Sequence, residues 1–319
     1  MVVKMENNFH PSSDLLINFD KTSLGKDIYF KLLDDFFSNF GFYVNIGGDI
    51  HNFPHIFEFI DYTNKKGVKS VGVYVKYLDC EYAKNFSRLG VRAVMVPMQN
   101  ALEKENDLLL GAGSYQSALR SINIAKKHKL GVEIITVADR SAFKTIPPLI
   151  DLMVVKKIDM LVVARSIMAS HYGLSLEEFP YKDYKKLLYY LVKNDRKLRD
   201  NKTGKISLMS CPHKILLQRS QRRLDVMGGC SAGSISCYIS PEGKVHPCAA
   251  LTGVVAGDLR KNSFSEIWAN SNIFKDFRRR IKLRGKCGKC EYKLKCGGCR
   301  ADALKESKNL WGEDPNCWL

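Results

Sequence analysis

The sequence predicts an α/β fold built on a parallel β-sheet, followed by a small cysteine-rich domain. The chain has 319 residues, of which 45% are hydrophobic and 26% charged, a globular balance that excludes disorder as a description of the whole chain. Short Val/Ile-rich runs alternate with amphipathic segments over the first 170 residues, and nine of the ten cysteines follow residue 206. We therefore predict an α/β domain over 1–206, a connector over 207–229 and a cysteine-rich domain over 230–319.

Six apolar runs are predicted to be strands of the α/β domain, because they are short and apolar enough to be buried on both faces of a parallel sheet. They are Asp14–Asp20, Phe42–Gly48, Ser70–Val75, Val91–Met98, Gly131–Ala138 and Asp159–Ile167. The helices predicted between them are Lys26–Asn39, His55–Lys65, Glu81–Leu89, Ser114–Lys129 and Pro148–Ile158. Alternation with right-handed crossovers leads either to an open doubly wound sheet or to a partial barrel.

The C-terminal part differs from the first 170 residues in composition and predicted elements. A basic helix over Tyr181–Arg199 and a polar stretch close the α/β domain. Ser234–Ser240 and Lys244–His246 flank a Pro-Glu-Gly turn and are predicted to form a hairpin. Ser263 and Glu266 form a capping box that opens a helix predicted to run to about Lys282. The Gly/Cys/Lys segment beyond it has little material for a hydrophobic core, so bound metal is the expected source of its stability.

Composition also predicts the cellular compartment of the protein. No apolar run approaches the roughly 20 residues that cross a bilayer, so we expect a soluble, cytoplasmic protein without a membrane partner. Thiols stay reduced in that compartment, and clustered cysteines there indicate metal binding before disulfides. Cys80 and Cys211 stand outside the cysteine pattern and are expected to be buried thiols.

The spacing of the remaining cysteines is that of a metal site. Two Cys-x-x-Cys pairs, Cys287/Cys290 and Cys296/Cys299, contain glycines that permit tight turns. Spacing alone leaves structural zinc and iron–sulfur clusters equally open.

The segments CSAGSISCYISPEGKVHPC, SFSEIWANSNIFKDFR, CGKCEYKLKCGGCRADA and DPNC, read together, resemble the SPASM domain of radical S-adenosylmethionine (SAM) enzymes. One departure is the two-residue spacing of Cys296 and Cys299, where the general pattern has three. The resemblance implies two auxiliary [4Fe–4S] clusters and a partial (βα)6 radical-SAM-like barrel before the SPASM domain. It implies that the first cluster is held by Cys230, Cys248 and Cys299, and the second by Cys287, Cys290, Cys296 and Cys317. Cys237 is either the fourth ligand of the first cluster or a small buried hydrophobe.

The cluster that cleaves SAM in this superfamily needs cysteines at n, n+4 and n+7, and the sequence contains no such triplet. The expected position, after the first strand, holds only KTSLG. Gly47, Gly48 and Asp49 stand where the family has the first three residues of GGEP, so they are a weak candidate for residual SAM binding. We therefore expect a degenerate barrel that cannot generate a radical from SAM by itself.

Three classes of function are compatible with the sequence. The first is an electron-transfer or substrate-presenting partner of a radical SAM protein. The second is an enzyme that modifies a peptide or tetrapyrrole with an auxiliary cluster whose iron has an open site. The third is a basic structural or nucleic-acid-binding module, because the net charge is +17 and 11 Lys/Arg face two acids between Lys275 and Arg300. Since that run overlaps the cluster ligands, charge balance and docking of an acidic redox protein are the favoured interpretation over nucleic acid.

Overall fold

The computed structural model describes residues 14–19, 24–38, 41–209, 212–213 and 229–319. Its strands are β1 Asp14–Asn18, β2 Tyr43–Gly47, β3 Ser70–Tyr74, β4 Ala93–Pro97, β5 Gly131–Ala138, β6 Met160–Arg165, β7 Lys205–Met209, β8 Ser236–Ile239, β9 Lys244–His246 and β10 Gly257–Asp258. Its α-helices are α1 Lys26–Ser38, α2 Ile56–Lys65, α3 Cys80–Arg88, α4 Glu103–Leu110, α5 Ser114–Lys127, α6 Ala142–Val155, α7 Tyr184–Asp200, α8 Phe264–Asn270, α9 Asn272–Arg279, α10 Gly285–Lys289, α11 Lys293–Cys296 and α12 Arg300–Ser307.

The chain forms two compact units, each made from two segments. Unit 1 contains the described residues up to Val71 together with Ser231–Arg279, and unit 2 contains those of Gly72–Cys230 together with Arg280–Leu319. The sequence-based boundaries at 206 and 230 remain a prediction.

Unit 1 is a mixed sheet with aromatic packing. Its strands follow the order β10-β9-β8-β1-β2; β1 is parallel to β2 and β8, whereas β9 is antiparallel to β8 and β10. Phe19 stacks on Phe53 at 4.2 Å between ring centroids, and Tyr29 and Phe59 pack edge-on against Phe19. These four rings are buried, so aromatic packing connects β1 with the helices that follow it.

The hairpin of β8 and β9 forms as predicted, but the helix after it differs. Ser263 caps α8 and Glu266 completes the capping box. The helix does not continue to Lys282, because Ser271 takes an extended ψ of 123° and separates α8 from α9. Trp268 and Phe274, on either side of this break, pack 4.8 Å apart and are fully buried. The break therefore lets both helices contribute to one core.

Unit 2 carries a parallel sheet in which β3, β4, β5, β6 and β7 are neighbours in chain order. The predicted α/β fold is therefore confirmed, with a sheet that is mixed rather than purely parallel. Sequence periodicity missed β7, a five-residue strand whose Ile206 N–H donates to the Asp195 carboxylate at 2.7 Å. It also missed the polar helix α4 and placed the start of α6 too late: α6 begins at Ala142, after a turn in which Asp139 accepts from Ser141. No helix in the described part of the chain is long and apolar enough to span a bilayer.

Candidate metal centre

The four cysteines predicted to hold the second cluster, Cys287, Cys290, Cys296 and Cys317, line one cavity of about 230 Å³ in unit 2. We call it the four-cysteine cavity. Its other lining residues are His213, Leu283, Lys286, Lys289, Tyr292, Lys293, Gly297, Gly298 and Leu319. Cysteines from three separate stretches of the chain thus share one wall, as the resemblance implies.

Short helices place three of these thiols. Cys287 lies inside α10, Cys290 directly follows it, and Cys296 ends α11. Cys317 follows a turn in which its N–H donates to the Asp314 carbonyl at 3.1 Å. Helices this short are marginal alone, so shared binding of a metal group is a physical reason for them to persist.

Two glycines shape the wall between Cys296 and Cys299. Gly297 and Gly298 have φ values of 71° and 60°, which L-residues rarely adopt. A Cβ on Gly298 would lie 3.0 Å from Asp314 Cβ and 3.3 Å from Cys287 Sγ. Two successive left-handed residues in close packing therefore accommodate the short spacing between Cys296 and Cys299.

The sulfur atoms accept hydrogen bonds from the surrounding protein. Cys287 Sγ accepts from Asp314 N at 3.4 Å and from Arg300 Nη2 at 3.7 Å. Cys290 Sγ accepts from Tyr292 N at 3.4 Å. Such bonds stabilise thiolates and raise the potential of a bound iron–sulfur cluster.

Burial favours the protonated thiol at two cysteines of this centre, Cys296 and Cys317. It raises the pKa of Cys296 to about 12, and it is also the main cause of the raised pKa of Cys317. Metal cations overcome this cost, since a coordinating thiol is deprotonated outright. Binding of the metal group therefore releases protons.

The donor set and its layout fit an iron–sulfur cluster. In the described part of the chain, no three His, Cys, Asp or Glu side chains are grouped tightly enough for a single metal ion. The four thiols line one cavity, and in a [4Fe–4S] cluster each thiolate binds a different iron.

A buried charged network lies behind the cavity in unit 2. The Asp314 carboxylate accepts from the N–H of Cys299 at 2.5 Å and from the N–H of Asn316 at 2.9 Å. Burial works to raise the pKa of Asp314, but His213, Arg165 and these backbone donors outweigh it, and the pKa lies below its ordinary value. Asp314 therefore stays ionised and holds the backbone of a predicted ligand of the first cluster.

Arg165 and Asp302 form a second buried ion pair in this network. Arg165 is on β6 and Asp302 is on α12, and their side chains are 8% and 6% exposed. The guanidinium also lies 4.7 Å from the ring centre of Tyr184. Because α12 begins directly after Cys299, the pair ties that cysteine to the parallel sheet of unit 2.

The predicted ligands of the first cluster are distributed over both units. Cys230 and Cys299 belong to unit 2, where Cys230 N–H donates to the Cys296 carbonyl at 2.8 Å. Cys237, on β8, is buried, and Cys248 is half-buried; both belong to unit 1. Their joint ligation remains a prediction.

Outside the metal site, two sequence expectations can be compared with the structure. The expectation that Cys80 is buried is wrong, since Cys80 is exposed at the start of α3. Cys211 and residues 21–23 of the KTSLG segment lie outside the described residues.

The candidate SAM-binding segment follows strand β2. Gly47 ends β2, and Gly48 has a φ of 80°. The Asp49 carboxylate caps a single 3-10 turn by accepting from His51 N at 3.1 Å. This local role explains Asp49 without a ligand, and SAM binding here remains a prediction.

Comparisons with known proteins agree with this architecture. The SPASM family, an iron–sulfur cluster-binding domain, matches residues 230–291. Over 289 residues the chain is 27% identical to the AdoMet-dependent heme synthase of Methanosarcina barkeri, covering 85% of this chain and 80% of that protein. Over 302 residues it is 30% identical to the mycofactocin maturase MftC of Mycobacterium tuberculosis, covering 86% and 70%.

Solved structures show the same fold. The crystal structure of Streptococcus suis SuiB bound to S-adenosylmethionine covers 97% of this chain and matches with a TM-score of 0.76 at 17% identity, over 78% of its own length. The structure of anSMEcpe with AdoMet and a peptide matches with a TM-score of 0.72 at 17% identity, over 96% of this chain and 94% of that one. The chain belongs to the radical SAM/SPASM superfamily, and its SPASM domain implies [4Fe–4S] clusters.

Proposed function

We propose that this protein is an iron–sulfur enzyme that modifies a tetrapyrrole or a peptide at an auxiliary cluster, without a SAM-cleaving cluster of its own. The observation that carries the proposal is similarity over 85% of the chain to a heme synthase and over 86% to a mycofactocin maturase. Similarity of that extent includes the α/β region and is not confined to the cysteine-rich domain.

A buried apolar cluster lies on the sheet of unit 2. Tyr74, Met95, Ile135 and Val162, from β3 to β6, form one apolar cluster with the half-buried Tyr172 and Met209 packed against it. Burial raises the pKa of Tyr74 to about 12, so this phenol is neutral at pH 7.

Within this proposal, Cys287, Cys290, Cys296 and Cys317 hold one [4Fe–4S] cluster, and Cys230, Cys248 and Cys299 leave one iron of the other open. That iron supplies Lewis-acid or one-electron chemistry when bound. Cys237 is then a buried hydrophobe rather than a ligand. Arg300 and the Asp314 N–H hold Cys287 in place through its sulfur, and Asp314 holds the backbone of Cys299.

The test begins with anaerobic purification and measurement of iron, sulfide and zinc. We expect about eight irons per chain for two clusters, and an unchanged cluster spectrum in Cys237→Ala. Titration with Fe-coproporphyrin III, followed by its absorption band, then measures tetrapyrrole binding. One or two zincs with no visible chromophore would refute the iron–sulfur assignment, and loss of one cluster in Cys237→Ala would refute the open iron.

A second candidate function is an electron-transfer or substrate-presenting partner of an intact radical SAM protein, and the absent cysteine triplet favours it. Lys286, Lys289 and Lys293 line the four-cysteine cavity, and none forms an ion pair with an acid in the described chain. Exposed cations of this kind steer an acidic redox protein toward the centre.

Salt dependence distinguishes this second candidate. We expect the rate of reduction by an acidic ferredoxin to fall steeply with ionic strength, and to fall about tenfold or more in a Lys286→Glu/Lys289→Glu variant. The matched control reverses two exposed lysines elsewhere in unit 2, Lys84 and Lys144. Formation of 5′-deoxyadenosine from SAM by this chain alone would contradict both candidates.

A further inference from the structure

His213 is a buried imidazole that lines the four-cysteine cavity. It has no exposed surface, and neither of its ring nitrogens, Nδ1 and Nε2, has a hydrogen-bond partner among the described residues. An unpartnered buried nitrogen is costly, so its place in the wall of a metal cavity calls for a ligand.

The surroundings of His213 resemble those of a metal-binding histidine. Its Nε2 lies 3.3 Å from the Asp314 carboxylate, and the ring is held between Trp318 and Tyr184 at centroid distances of 5.3 and 5.5 Å. Carboxylates near a ring nitrogen are common around histidines that bind metals.

Cys296 contacts the residue next to this imidazole in the chain. Its Sγ lies 3.8 Å from the carbonyl oxygen of Pro212, the residue that precedes His213. Cys287 and Cys290 instead accept hydrogen bonds at their sulfur atoms from Asp314 and Tyr292. The thiol of Cys296 and the imidazole of His213 thus approach the cavity from adjoining positions.

We propose that His213 is a fifth protein donor of this metal centre and can bind, through Nδ1, the same iron as Cys296. This inference rests on the proposed iron–sulfur function and adds a nitrogen ligand to a site otherwise assigned to sulfur alone. The exchange replaces an iron–sulfur bond with an iron–nitrogen bond, and the released thiolate takes up a proton. No electron is transferred in this step.

The experiment compares cysteine variants of the full chain, purified anaerobically and labelled with ¹⁵N-histidine. We expect Cys296→Ala to keep the iron and sulfide content of the wild type and to acquire a strong nitrogen coupling in pulsed EPR. The matched control Cys290→Ala, whose sulfur contacts Tyr292 and not the residue next to His213, should lose about half of the iron. Cys296→Ala/His213→Gln should lose as much iron as Cys290→Ala, whereas His213→Gln alone should keep all of it.

The outcomes separate this inference from the proposed function. A wild-type protein that holds zinc and no iron would contradict the proposed function itself. A wild-type protein with about eight irons, whose Cys296→Ala variant loses as much iron as Cys290→Ala and shows no nitrogen coupling, would overturn only the role of His213. Circular dichroism of each variant shows that the chain remains folded when iron is lost.

Discussion

Replacing Asp302 with asparagine tests how the parallel sheet of unit 2 supports the metal ligands. The substitution keeps the shape of the side chain and removes its charge, leaving the Arg165 guanidinium, 8% exposed, without its closest anion. The ring of Tyr184 remains 4.7 Å away and stabilises only part of that charge.

The expected loss follows from the contact between the two charges. At a separation of about 4 Å and an effective dielectric constant of about 20, their attraction is about 4 kcal/mol. Breaking a buried pair by removing one partner costs about 3–5 kcal/mol. Because the asparagine carbonyl can still accept a hydrogen bond from Arg165, we expect Asp302→Asn to lower the free energy of unfolding by about 2–4 kcal/mol.

Urea unfolding under anaerobic conditions, at matched iron content, measures this loss. Glu178→Gln is the control, because Glu178 pairs with Lys305 of the same helix α12 at 45–47% exposure, where a pair is worth less than about 1 kcal/mol. Arg165→Met/Asp302→Leu removes both buried charges and should recover most of the stability. An Asp302→Asn protein as stable as Glu178→Gln would refute the view that this pair anchors α12.

Three further predictions concern ligands, backbone and pH. Cys290→Ala should lose about four irons per chain and Cys80→Ala none, by iron and sulfide analysis, and equal iron in both would contradict the ligand assignment. Gly298→Ala should lower the free energy of unfolding, measured with urea, by about 1–2 kcal/mol more than the control Gly67→Ala. Both glycines have a positive φ, but only at Gly298 would a Cβ meet Arg300 and Asp314. Burial lowers the pKa of His171 to about 4 in the folded protein. As the pH falls, the unfolded chain therefore binds a proton at this histidine before the folded protein does. The free energy of unfolding should fall by about 2 kcal/mol between pH 6.5 and pH 4. His171→Gln should lack that part of the pH dependence, and identical pH profiles would contradict it.

Strands with strong apolar composition could be predicted from the sequence. All six expected strands of the α/β region appear as β1 to β6, since Val- and Ile-rich runs carry their own signal. Strand β7 has no such signal, and its place is fixed by tertiary contacts such as the bond from Ile206 N–H to Asp195. The helix break at Ser271 likewise depends on packing between Trp268 and Phe274, which local propensity does not contain.

The cysteine pattern predicted which cysteines bind metal, but not the groups that lie around them. Cys287, Cys290, Cys296 and Cys317 line one cavity, as their spacing and resemblance led us to expect. Arg165 and His213 lie far from these cysteines in sequence and carry no motif, so only the fold brings them to Asp302 and Asp314. A lone histidine in a connector is indistinguishable in sequence from a surface histidine, whereas its burial beside a carboxylate distinguishes it in the structure.

In the basic run between Lys275 and Arg300, two of the arginines are buried and bind backbone carbonyls. Buried Arg280 donates to the carbonyls of Leu294 and Cys230, each at 2.8 Å, and buried Arg300 donates to the Gly312 carbonyl at 2.5 Å. A guanidinium can bridge separate backbone segments in this way because its donors form a rigid fork, which an ammonium lacks.

Those arginines therefore hold the segments that carry the cysteines, and their charge is withdrawn from the surface. The exposed cations Lys286 and Lys289 are left at the four-cysteine cavity. Nucleic-acid binding would require the run to act as one solvated patch that neutralises many phosphates. Burial of Arg280 and Arg300 removes two cations of the run from that patch, so the charge density of the sequence overstates the surface available to a polyanion.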